Sequence, residues 1–142
     1  MIKEASIYTL KSLSEEARST YGLRVLTMRK WPRNVRRSDV DLWIKDAAPS
    51  IELLADWRAN RIGWPMFMAH YQDEQERQET TEMVNYHGSL KIGSKTVYVS
   101  PVEYLARLAR YQPVTVLCWE KELCHRFGLV KMIEDCMKEE AA

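Results

Sequence analysis

The chain has 142 residues and a mass of 16.7 kDa, a single-domain length at roughly 100–200 residues per domain. With 46% hydrophobic and 29% charged residues it excludes a disordered chain, and no apolar run nears the ~18 residues of a spanning helix. A net charge of +1 gives no global pull toward nucleic acid, and three cysteines are too few for a disulfide scaffold, which points to a reducing cytoplasm.

Ala5–Leu10 (ASIYTL) reads as a first strand and Ser12–Ser19 as a polar helical turn. Gly22 punctuates, and Leu23–Arg29 (LRVLTMR) alternates as a second strand that stops at Trp31-Pro32, because proline lacks a ladder donor. Ser38–Asp41 resembles a capping box and predicts a short helix through Leu42, Trp43 and Ile44, ending before Pro49. Ser50 caps the next helix, with Ile51, Leu54 and Trp57 as its buried stripe. Pro65 suits the first turn of a helix reaching about Glu79.

The glycines at 88 and 93 followed by KTVYVS predict a β-hairpin insertion over 84–99. Ser100-Pro-Val-Glu103 is a helix start with a cap, a first-position proline and a returning Glu. Val114–Cys118 (VTVLC) is a continuous apolar run, the mark of a buried strand. A last helix spans about Leu123 to Lys138, with Phe127, Val130, Ile133 and Met137 on its buried side. Strands separated by helices predict one α/β domain over 1–142, a small layered sheet with parallel core strands flanked by helices.

Charge is balanced in total but not locally. No acidic residue falls between Ala17 and Ser38, where Arg18, Arg24, Arg29, Lys30, Arg33, Arg36 and Arg37 gather. Such a block attracts phosphate or carboxylate, or it is a solvated face neutralised by acidic segments such as Asp73–Glu82.

The densest chemistry lies in Cys118-Trp-Glu120-Lys121-Glu-Leu-Cys124-His125-Arg126, between the buried strand and the last helix. Open α/β sheets bind ligands outside the carboxyl ends of their strands, beside helix N-termini. There Cys118 or Cys124 can act as a thiol nucleophile, Glu120 and His125 can move protons, and Lys121 and Arg126 can hold an anion. The alternative is that Cys118 ends a packed strand, since cysteine is among the most buried residues. The spacing matches neither a zinc site nor a Cys-x₅-Arg phosphate loop, so no metal or cofactor is expected. Arg29, Trp31 and Arg33 form a second constellation at the exit of the Leu23–Arg29 strand. If that strand neighbours Val114–Cys118 in parallel, both constellations share one sheet edge, and Arg29 and Arg33 can grip a phosphate or carboxylate. Two partners follow as alternatives: a small anionic or nucleotide-like ligand at that edge, or nucleic acid on the basic 18–37 segment with Trp31 as a stacking platform.

Three stretches carry a resemblance: Tyr21-Gly22-Leu-Arg24-Val-Leu-Thr-Met-Arg29-Lys-Trp31-Pro32-Arg33, Asp41-Leu-Trp43-Ile-Lys45-Asp-Ala-Ala-Pro49-Ser50, and PVTVLC followed by Glu120-Lys121 and Cys124-His125-Arg126. Together they resemble the YeaO-like domain-of-unknown-function family 488. This chain has Met28 and Lys30 where the family usually has Asp and Leu. The resemblance implies an α/β fold and a site built from these motifs, without a reaction.

Overall fold

A computed structural model describes residues 2–77, 83–85, 100–118 and 125–141. Its centre is a five-stranded sheet made of β1 (Ile2–Ser6), β2 (Leu23–Leu26), β3 (Leu42–Ile44), β4 (Met83–Asn85) and β5 (Val114–Cys118). The spatial order is β1-β5-β2-β3-β4. β1, β5, β2 and β3 run parallel, and β4 is antiparallel to β3. β5 sits between β1 and β2, with Val114 opposite both Ile2 and Leu23, and all five of its residues are buried. An all-apolar sequence suits a parallel strand covered on both faces.

The period of two along each strand divides the core. Val25, Leu42, Ile44, Val114 and Val116 pack on one face, beneath α3 (Ile51–Arg58), α4 (Trp64–Arg77), α5 (Pro101–Tyr111) and α6 (Arg126–Ala141). Leu26 and Leu117 face the other way, onto Ile7, Leu10, Val35 and Val40, with Trp31 and Trp43 packed alongside. Ile7 and Leu10 belong to α1 (Ile7–Lys11), which precedes α2 (Glu15–Ser19). Ser50 and Ser100 cap α3 and α5 as their sequences indicate, their hydroxyls accepting from the Leu53 and Glu103 amides.

The structure corrects several boundaries. ASIYTL is not one strand: β1 starts earlier and ends at Ser6, and the chain turns into α1 so that Ile7 and Leu10, one helical turn apart, both reach the second core. The helix expected after Ser38 is instead β3 between two single 3₁₀ turns. Leu42 and Ile44 face one core and Trp43 the other, while Asp41 is held by Arg24 beside it on β2. Along α3, Leu53 is buried and Ile51 is exposed, so the buried stripe is shifted. On α6, Leu129 and Ile133 are fully buried and Phe127 is exposed. The hairpin expected over 84–99 lies, beyond Asn85, outside the described residues.

Candidate functional site

At the carboxyl ends of β2, β3 and β5 the chain leaves the sheet in three connections, and a cleft of about 210 Å³ opens among them. At about 30 Å³ per water this is room for on the order of seven waters, enough for a compact molecule or the end group of a larger one. β2 leads to Met28, Arg29 and Lys30; β3 leads to Ala48 and Pro49; β5 ends in Cys118, and His125 stands just before α6. The remaining wall is α3, through Ile51, Leu54, Ala55 and Arg58. Those four recur at i, i+3, i+4 and i+7, one face of a helix. Among the described residues, three cations line the cleft and no carboxylate does.

Each connection is fixed by bonds readable from the chain. Thr27 extends the β2–β5 ladder by donating its amide to the Leu117 carbonyl at 2.9 Å, and its hydroxyl donates there too at 3.0 Å. The freed Thr27 carbonyl accepts His125 Nε2–H at 2.7 Å. That bond assigns the proton of the neutral ring to Nε2 and leaves Nδ1 as the acceptor nitrogen. Burial lowers the His125 pKa to about 4, the Thr27 bond opposes that shift, and the Arg126 charge adds to it. At neutral pH this imidazole therefore carries no charge. The Tyr71 ring meets it edge-on at 5.5 Å between centroids.

Arg29 donates to the carbonyls of Pro49 and Ala48, at 3.0 and 3.3 Å. Two residues of α4, one turn apart, complete the support of this turn: the Glu74 carboxylate accepts the Ser50 amide at 3.0 Å, and the Tyr71 hydroxyl donates to the Ala47 carbonyl. Burial and the Glu74 charge hold the Tyr71 phenol well above its usual pKa, against an opposing pull from Arg29, so it stays a donor.

The described residues expected to form the site are divided among four places. Cys118, His125 and Arg29 meet in the cleft. Arg126 lies behind Cys118: it is 3% exposed, pairs with Glu4 of β1, and donates from Nη1 to Cys118 Sγ at 2.7 Å. Trp31 turns into the second core, edge-on to Trp43 at 5.3 Å, with its indole N–H on the Val35 carbonyl. Arg33 is exposed, and its carbonyl accepts the Tyr8 hydroxyl. Neither Trp31 nor Arg33 lines the cleft. Glu120, Lys121 and Cys124 lie outside the described residues. Sequence reasoning missed Lys30 and Arg58 as cleft residues; the signal for Arg58 was its place on the same helical face as Ile51 and Leu54.

Cys118 is disulfide-bonded, although the odd cysteine count argues against a disulfide scaffold, and Cys136 is not in a disulfide. In the basic segment, Arg24 grips Asp41 through Nε and Nη2 at 3.0 and 3.2 Å, and Arg18 lies 3.8 Å from Asp39. Among the described residues, no helix is long and apolar enough to cross a membrane.

Known proteins resemble the chain in sequence. The uncharacterized protein YeaO of Escherichia coli K12 is 26% identical over 122 residues, covering 84% of this chain and 89% of that protein. The uncharacterized proteins Rv3073c of Mycobacterium tuberculosis and Mb3100c of Mycobacterium bovis are each 33% identical over 76 residues, covering 52% of this chain and 64% of theirs. No solved structure matches the chain. The family model described as the active DUF488-N3 subclade matches residues 7–137, nearly the whole of the cleft-bearing fold, and the chain belongs to that DUF488 family.

Proposed function

We propose that the cleft at the carboxyl edge of the sheet binds a small anionic molecule of the phosphate-bearing or nucleotide-like class. The observation that carries this reading is the lining itself, with Arg29, Lys30 and Arg58 present and no carboxylate among the described residues. Cations around a small concave space with apolar walls raise the local concentration of anions even when net charge is near zero. Ile51, Leu54 and Ala55 offer an apolar surface to the uncharged part of the ligand. Cys118 and His125 stand at the two ends of the connection that carries Glu120, Lys121 and Cys124, which makes this set the place for any reaction on the ligand. An imidazole with a pKa near 4 is a weak base at neutral pH, so His125 acts as an acceptor through Nδ1 and proton transfer falls to Glu120. The nucleic-acid reading has less support: Arg18, Arg24 and Arg29 have partners within the fold, and Trp31 is packed.

Inorganic phosphate, AMP and uncharged adenosine, each titrated while the melting temperature is followed, test this reading. Phosphate and AMP are expected to raise Tm by several degrees at saturation, adenosine to do much less, and the combined Lys30→Ala and Arg58→Ala substitutions to weaken AMP about tenfold. Equal responses to AMP and adenosine, or none to either phosphate compound at millimolar concentration, would overturn it.

A further inference from the structure

The lining of the cleft is layered by polarity. Ala48, Pro49 and His125 are buried at its floor, Leu54 is half-buried on its wall, and Lys30 and Arg58 are exposed at its mouth. His125 brings no charge to the floor at neutral pH. Arg29 turns its Nε–H and Nη2–H onto the Pro49 and Ala48 carbonyls, so these two donors hold the floor together. An anion seated at the floor would give up its water beside a guanidinium already engaged with carbonyls. At the mouth it keeps its water and meets two exposed cations.

The wall between floor and mouth is hydrocarbon. Ile51 adds little to the core, being 63% exposed, yet it stands in line with Leu54 and Ala55 on the cleft face of α3. That strip runs on to Arg58, seven residues and about 10 Å further along the helix. An apolar cavity of about 150 Å³ takes a benzene molecule, so the 210 Å³ here suits a body of about six to eight carbons.

We propose, resting on the anion-binding reading above, that the ligand is a short-chain aliphatic acid. Its hydrocarbon tail lies inward against Pro49, Leu54 and Ile51, and its anionic head stays at the mouth with Lys30 and Arg58. A carboxylate and a phosphate monoester both supply such a head on the same tail. A nucleotide carries a hydroxyl-rich sugar where this strip offers only hydrocarbon, and it gains little from Ile51. Each methylene of the tail taken out of water raises affinity about threefold to fourfold.

Calorimetric titration of the full chain with acetate, butanoate, hexanoate, octanoate and decanoate tests this, with hexyl phosphate, inorganic phosphate and hexan-1-ol alongside. Affinity is expected to rise about tenfold from butanoate to hexanoate and to level off beyond octanoate, where further carbons reach water. Hexyl phosphate is expected to bind at least about tenfold more tightly than inorganic phosphate, and the tighter of hexyl phosphate and hexanoate identifies the head group. Ile51→Ser, at a side chain too exposed for the fold to depend on it, is expected to weaken hexanoate about fivefold and leave inorganic phosphate within about twofold. Ala55→Leu, at another exposed position, fills the strip and is expected to move the plateau to shorter chains. Equal affinity for acetate, hexanoate and octanoate, or a chain-length dependence unmoved by Ile51→Ser, overturns the proposal and leaves the anion-binding reading standing. Hexan-1-ol matching hexanoate overturns both, because the cations then contribute nothing.

Discussion

Replacing His125 by glutamine changes the pH dependence of folding by an amount the structure fixes. The buried imidazole has a pKa of about 4, against 6.5 in an unfolded chain. Above pH 6.5 neither state binds the proton and the group adds no slope. Between pH 6.5 and 4 the unfolded state binds a proton that the folded state refuses, so stability falls as pH falls, by up to about 1.4 kcal/mol per unit. Over the whole interval the loss is about 3 kcal/mol, and about 2 kcal/mol of it has gone by pH 5. That is a large share of the roughly 5–15 kcal/mol that holds a domain folded. Glutamine keeps a side-chain N–H for the Thr27 carbonyl but cannot titrate. Urea unfolding followed by tryptophan fluorescence at pH 7.5, 6, 5 and 4.5 gives both stability curves, and their difference cancels the carboxylates common to the two proteins. The advantage of wild type over His125→Gln is expected to shrink by about 2–3 kcal/mol across that range. Parallel curves, or an NMR titration placing the His125 midpoint near 6.5, would refute the reasoning.

Two further expectations concern the scaffold. Gly22 has φ +71°, and a Cβ there would stand 2.3 Å from the Pro113 carbonyl oxygen, so Gly22→Ala is expected to cost at least about 2 kcal/mol by chemical denaturation. Gly128→Ala meets only the mobile end of Met68, 2.0 Å from its Cε, and is expected to stay within about 1 kcal/mol of wild type; reversal of this order would contradict the packing. Asp41→Asn breaks the two-point grip on Arg24 and is expected to cost about 1–3 kcal/mol, whereas Asp56→Asn, at the exposed partner of Arg61, is expected to cost under about 0.5 kcal/mol.

The parts of this fold that announce themselves in sequence are those whose local chemistry and tertiary role coincide. VTVLC is apolar throughout because β5 is covered on both faces, and Ser50 and Ser100 cap helices because their hydroxyls face the amides three residues on. Leu42–Ile44 was misread because three residues are too few to show a period, and the Ser-Asp start beside them imitates a helix cap. Ile7 and Tyr8 have strand-forming side chains, yet the need to cover Leu26 and Leu117 curls them into α1. In the candidate site, Cys118, His125 and Arg29 could be found from their places at strand exits and a helix start. Arg126 could be found as a residue but not in its role, because its partner Glu4 is 122 positions away in sequence. Trp31 and Arg33 fall away from the cleft because the second core, not a ligand, takes the indole.

The placement of β5 between β1 and β2 also dictates an order of events on the ribosome. The first two strands made are not each other's neighbours; the slot between them is filled by residues 114–118. Until those residues emerge, β1 and β2 each present an unpaired hydrogen-bonding edge, and the nascent chain carries the hazard that open edges bring. The cleft, whose wall includes Cys118 and His125, is built last, in the same late step that closes the sheet.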